Sequence, residues 1–199
     1  MTARTARLLL VGTAFLAGLI VCFGAVLLLA GRGPGPVAQQ IAAIGGPFTL
    51  TDQNGRTVTD QDFKGKPFLV FFGFTHCPDV CPTTLFEISE ILRTLGPDAD
   101  RMRAAFITVD PERDPPEAMK DYLSSFDPHL YGLTGDPAAI AAVAKAYRLY
   151  FKKVPLDGGS YTMDHTAIVY LMDKNGRFVS PFNVKRTAAA AADDLRRYL

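Results

Sequence analysis

Pro67 to Phe72 is a nearly continuous apolar run, which predicts a central strand covered on both faces. Beyond it, Leu85, Ile88, Ile91, Leu92 and Leu95 recur at helical spacing, so Pro82 to Leu95 reads as a helix covering one face of a sheet. Pro82 suits a first helical turn, and Gly96-Pro97 ends the helix. Met102 to Val109 reads as the next strand. Asp114 is expected to cap a helix from Pro115 to about Ser124, and Asp136 one from Pro137 to Lys145. Tyr131-Gly132-Leu133 is a short strand and Tyr147 to Phe151 an aromatic-rich extended piece. Ala167 to Met172 and Arg177 to Ser180 form a strand pair around the turn Asp173-Lys174-Asn175-Gly176. Thr187 caps a last helix, Ala188 to Arg197. Nearer the start, Phe48-Thr49-Leu50 and Thr57-Val58-Thr59 flank Asp52-Gln53-Asn54-Gly55, whose Asn-Gly marks a hairpin turn.

Strand, helix, strand, helix, then a hairpin and a terminal helix describe an α/β, thioredoxin-like mixed sheet flanked by helices. The hairpin near residue 50 and an insert around residues 130–160 enlarge it. This domain is expected to span residues 44–199. Ahead of it, residues 31–43 begin with a Gly- and Pro-rich stretch that reads as a tether. Residues 8–30 carry no charge and would rise ~34 Å as a helix, enough for a hydrocarbon core. Arg4 and Arg7 put the short segment 1–7 in the cytoplasm and the rest outside. An apolar stretch this long favours an uncleaved anchor over a signal peptide cut near Ala30. Val21 is too bulky for Cys22 to read as a lipidation site.

Charge excludes one class of partner. The chain has 21 basic and 20 acidic residues, without a basic stripe, so nucleic acid is not expected. Outside the apolar segment there are only two cysteines, Cys77 and Cys81. A bridge between them would close too small a loop to stabilise the fold much, so redox or metal work is the more natural role.

Three residues separate those thiols, and they sit where a buried strand turns into a helix. Unpaired N–H groups at a helix start favour thiolate over thiol, so both cysteines are expected to have lowered pKa values. Two thiolates are soft ligands that favour Cu(I) or Zn, and an imidazole would complete such a site. His165, just before the strand from Ala167, is the candidate this topology brings beside the dithiol, with Asp164 able to orient it. His76 ranks lower despite adjoining Cys77, His129 reads as a loop residue, and Met163 as packing. Asp79, between the cysteines, is a candidate neighbour of the site. The acids of Asp110-Pro111-Glu112-Arg113-Asp114 read as a polar loop with a salt bridge and a helix cap. Neither a phosphate loop nor a Ser-His-Asp order supports transferase or esterase chemistry.

Phe72-Gly73-Phe74-Thr75-His76-Cys77-Pro78-Asp79-Val80-Cys81-Pro82-Thr83-Thr84-Leu85, Val109 to Asp114, Gly132 to Gly135 and Asp164-His165-Thr166-Ala167 together resemble the SCO/SenC family of copper-binding cytochrome oxidase assembly proteins. The resemblance runs from about residue 44 to the C-terminus. It implies a copper ion, Cu(I) and also Cu(II), held by Cys77, Cys81 and His165 with Asp79 nearby. It implies maturation of the dinuclear copper centre in cytochrome c oxidase subunit II, by copper delivery, by reduction of the target cysteines, or both. A copper donor and a thiol reductant are implied as further partners. The expected location is the bacterial inner membrane, single-pass, with the C-terminal domain in the periplasm.

Overall fold

The computed structural model describes Thr13, residues 16–26 and residues 44–199. It divides into two units, residues 1–42 and 43–199. In the first, residues 16–26 are helical, with Leu16, Leu19, Ile20, Val21, Phe23 and Val26 exposed. Among the described residues no helix is long and apolar enough to cross a membrane. The expected segments 1–7 and 31–43, and the ends of 8–30, lie outside the described residues.

The second unit is built on seven strands: β1 (Thr49–Asp52), β2 (Thr57–Thr59), β3 (Phe68–Gly73), β4 (Arg103–Thr108), β5 (Leu130–Thr134), β8 (Val169–Met172) and β9 (Phe178–Pro181). Their order is β2-β1-β5-β4-β3-β8-β9. The β3-β4 and β4-β5 pairs are parallel; the others are antiparallel. Five helices accompany it: α1 (Asp60–Phe63), α2 (Val80–Leu95), α3 (Pro116–Leu123), α4 (Pro137–Ala146) and α5 (Ala188–Arg196). Helix α2 packs against α5, α3 lies against β5, and α4 against β1. This is the expected thioredoxin-like mixed sheet.

Every residue of β3 is buried, as its unbroken apolar run requires. Phe71, Phe72, Phe106, Leu85 and Ile88 form the centre of the core, each worth about 1.5–3 kcal/mol on burial. Asp136 and Thr187 cap α4 and α5 as expected, accepting from the N–H groups of Ala139 and Ala190. The sheet's margins are modest. β2 has three residues, and β9 ends in Pro181 and pairs with β8 through a register shift between Leu171 and Met172.

Two expectations about the elements need correction. Tyr147 to Phe151 is not a continuous extended piece. Tyr147 ends α4, Arg148 adopts φ 55°, and the strand starts only at Phe151. The insert then forms a separate two-stranded hairpin, β6 (Phe151–Pro155) with β7 (Tyr161–His165). Asp114 does not cap α3. Pro115 occupies the cap position, and the fully buried Asp114 side chain accepts from Thr75 and Thr108 instead.

His129 bridges two segments. Its Nδ1 lies 2.7 Å from Asp127 Oδ1 and its Nε2 3.1 Å from Asp100 Oδ1. Partial burial opposes its positive charge, but hydrogen bonds to both carboxylates outweigh that and raise its pKa above the ordinary value. A raised folded-state pKa contributes stability that is fully present below the unfolded pKa of about 6.5 and is lost as pH rises through the folded one. The difference in melting temperature between wild type and His129→Gln should therefore shrink from about pH 6 to about pH 9. A difference that grows with pH would contradict this bridge.

Candidate metal centre

The dithiol loop begins where β3 leaves the sheet. Gly73 accepts from Val109 N–H, Phe74 is buried, and Cys77 N–H returns to the Phe74 carbonyl at 3.2 Å, making a tight turn. Asp79 occupies the position before α2, but its side chain caps no backbone N–H; it accepts instead from Thr83 Oγ1 at 3.3 Å. A sulfur takes up the first-turn donor: Cys81 N–H donates to Cys77 Sγ at 3.4 Å. The helix start thus faces the thiol, as the spacing predicts.

Both cysteines are free, and they are not equivalent. Cys77 is half-buried and Cys81 completely buried. The expectation of two lowered thiol pKa values fails at Cys81. Burial pushes that thiol up, and the neighbouring Cys77 and Asp114 push in the same direction. Desolvation outweighs the lowering effect of a hydrogen bond with the Phe74 backbone, because Cys81 lies inside the first turn, among core side chains.

His165 ends β7, and its Nε2 lies 3.8 Å from Cys81 Sγ. Its Nδ1 is 3.2 Å from the Thr166 carbonyl, which fixes that nitrogen as the donor and leaves Nε2 its lone pair. Burial lowers the His165 pKa, favouring the neutral ring, while the Thr166 carbonyl and the Asp164 charge partly offset it. Asp164 is exposed, so Thr166 supplies the orienting bond and Asp164 acts through charge. Phe74 stands edge-on to the imidazole, centroids 5.9 Å apart. Among the described residues, no group of three or more His, Cys, Asp or Glu side chains already stands at metal-holding spacing.

The other histidines fall as expected. His76 is exposed with Nδ1 3.0 Å from Thr75 Oγ1, and His129 belongs to the bridge described above. Met163 is buried packing in β7. The residues that hold the dithiol loop were not expected. Asp114 Oδ2 accepts from Thr75 N–H at 3.0 Å and Thr108 Oγ1 at 2.6 Å, and Oδ1 accepts from Thr75 Oγ1 at 2.5 Å. Thr108 Oγ1 itself accepts from Asp110 N–H at 2.9 Å, which aims its own proton at Asp114. The expected salt bridge is present between Arg113 and Asp110.

A thioredoxin-like sheet with two thiols at a strand-to-helix junction and an imidazole facing one sulfur defines a dithiol domain equipped for soft-metal or redox chemistry. The SCO1/SenC family model matches residues 36–199, and the chain belongs to that family. It is 71% identical to ScoI of Bradyrhizobium japonicum, solved with copper bound, with a TM-score of 0.77 over 79% of this chain and 100% of that one. Yeast Sco1 with copper bound is 36% identical, with a TM-score of 0.70 over 79% of this chain and 91% of its own. The mitochondrial SCO2 homolog of Bos taurus is 41% identical over 166 residues, which is 81% of this chain but 62% of that protein.

Proposed function

We propose that this chain is a membrane-anchored copper chaperone that assists assembly of the dinuclear copper centre of cytochrome c oxidase, with Cys77, Cys81 and His165 as the copper ligands. The observation that carries this reading is the lone pair of His165 Nε2 facing Cys81 Sγ at 3.8 Å, beside a second thiol at the same helix start. Two thiolates and an imidazole suit three-coordinate Cu(I), while Cu(II) would recruit a fourth ligand. Asp79 and Asp164 flank the trio and tune its charge. The copper-bound relatives support the same cargo. Subunit II of the oxidase is the recipient, with a copper donor and a thiol reductant upstream. The uncharged stretch 8–30 behind Arg4 and Arg7 supports a single-pass anchor in the bacterial inner membrane, with the domain in the periplasm.

The inequality of the two thiols favours a second, linked reading, reduction of the target's cysteines. The accessible Cys77, as thiolate, attacks a target disulfide and releases one target thiol. Cys81 then loses its proton and displaces the second, leaving a Cys77–Cys81 disulfide; two electrons have passed to the target. That disulfide removes both soft ligands, so the chain is loaded only after a reductant restores them.

Anaerobic titration of the reduced protein with Cu(I), beside His165→Ala, separates the readings. One copper per chain is expected, with affinity about 100-fold weaker in the variant (about 2.7 kcal/mol) and dithiol exchange largely kept. Equal copper affinity in both proteins would sink the three-ligand site and leave the reductase.

A further inference from the structure

His165 rides on a piece of structure outside the main sheet. The hairpin of β6 and β7 pairs only with itself, and a lone two-stranded hairpin is marginal in water. Something must hold it where Nε2 meets Cys81. Tyr161 and His165 lie four residues apart on β7, on the same face. Two hydrogen bonds tie Tyr161 to the loop between β4 and α3. Its hydroxyl donates to Asp110 Oδ1 at 3.0 Å, and its carbonyl accepts from Arg113 Nη1 at 3.0 Å. The Arg113 guanidinium lies 3.7 Å from the centroid of the Tyr161 ring and is itself held by Asp110 through Nε. It also lies 5.9 Å from the ring of Phe74, which stands against the His165 imidazole. Arg113 is mostly buried, and its Nη2 has no hydrogen-bond partner among the described residues; aromatic faces take that place.

We propose that Arg113 is the positioning residue that holds the His165-bearing hairpin against the dithiol. One planar cation joins the carboxylate of Asp110, the carbonyl and ring of Tyr161, and the Phe74 wall beside the imidazole. Lysine could supply the charge but not the fork and the stacking plane. The exposed pair Lys153–Glu112 adds a peripheral tie at 2.7 Å. This inference rests on His165 being a copper ligand.

The test is a double-mutant cycle on the full, reduced chain: wild type, Arg113→Lys, His165→Ala and the double variant, each titrated anaerobically with Cu(I) against a competing chelator. Arg113→Lys should weaken copper binding about tenfold, in the range of outer-shell substitutions, and should add nothing once His165 is absent. Without metal, amide hydrogen exchange should quicken in β6 and β7 and stay unchanged in β3. Tyr161→Leu, which keeps Arg113, should move affinity and exchange in the same direction. A loss of the same size in the His165→Ala background, or wild-type affinity and exchange in Arg113→Lys, would overturn the inference alone. Wild type and His165→Ala binding copper alike would overturn the ligand reading and this inference with it.

Discussion

Replacing Asp114 with alanine should destabilise the folded domain by about 4 kcal/mol, the largest effect expected of a residue that touches neither sulfur. The carboxylate is completely buried and accepts three hydrogen bonds, from Thr75 N–H, Thr75 Oγ1 and Thr108 Oγ1. Bonds to a charged acceptor are worth about 1.5–3 kcal/mol each, and each donor stranded without water costs about 1–3 kcal/mol. Partial relaxation and water entry keep the total below the sum. A loss of this size would lower the melting temperature by about 8–16 °C. Thr75 stands two residues before Cys77, so the dithiol loop loosens with the knot, and copper affinity should fall in the protein that remains folded. Asp114→Asn keeps the shape but turns an amide NH₂ toward a donor, and should fall between alanine and wild type. Thermal unfolding of the metal-free protein decides the matter; a shift of less than about 2 °C would mean that the knot is replaceable.

Gly73→Ala is the second large effect. A Cβ at Gly73 would stand 2.6 Å from Phe106 Cε2 and 2.7 Å from Cys81 Sγ. Both neighbours are completely buried in the core, so neither can swing into solvent. The cost should lie near the upper end of overpacking, about 3 kcal/mol. The methyl must displace either the Phe106 ring or the Cys81 sulfur. Urea unfolding measures the first consequence, through a lower midpoint at an unchanged slope. Copper titration measures the second. Wild-type stability with wild-type affinity would mean that β3 shifts along the sheet at little cost. Glycine is needed here for the close approach of backbone to thiol, not for an unusual dihedral angle.

Much of this architecture was legible in the chain because its signals are local. The run Phe68 to Phe72, the apolar spacing from Leu85 to Leu95, and the caps Asp136 and Thr187 each depend on neighbours within a few residues. The approach of His165 to Cys81 was legible too, because it follows from topology. The hairpin of β6 and β7 was not. Phe151-Lys152-Lys153-Val154-Pro155 is largely exposed and lacks the alternation of a half-buried strand. Asp114 was misread because its local sequence offers a helix to cap, whereas Thr75, two of its three donors, lies 39 residues away. The raised thiol of Cys81 was hidden for a similar reason: spacing reveals the helix start but not how deeply the first turn is sunk. Arg113 looked like half of a surface ion pair, since nothing local announces the ring of Tyr161.

The short margins of the sheet bear on how this protein keeps company with copies of itself. A flat, long border strand would recruit another chain through its unpaired backbone groups. Here one border is three residues long, and the other ends in a proline beside a register slip. Crowded molecules therefore find little backbone to zip onto along the borders of the main sheet. Their reactive meeting point is sulfur, so a covalent dimer formed on oxidation should dissolve completely with a mild reductant instead of persisting as a β-linked aggregate.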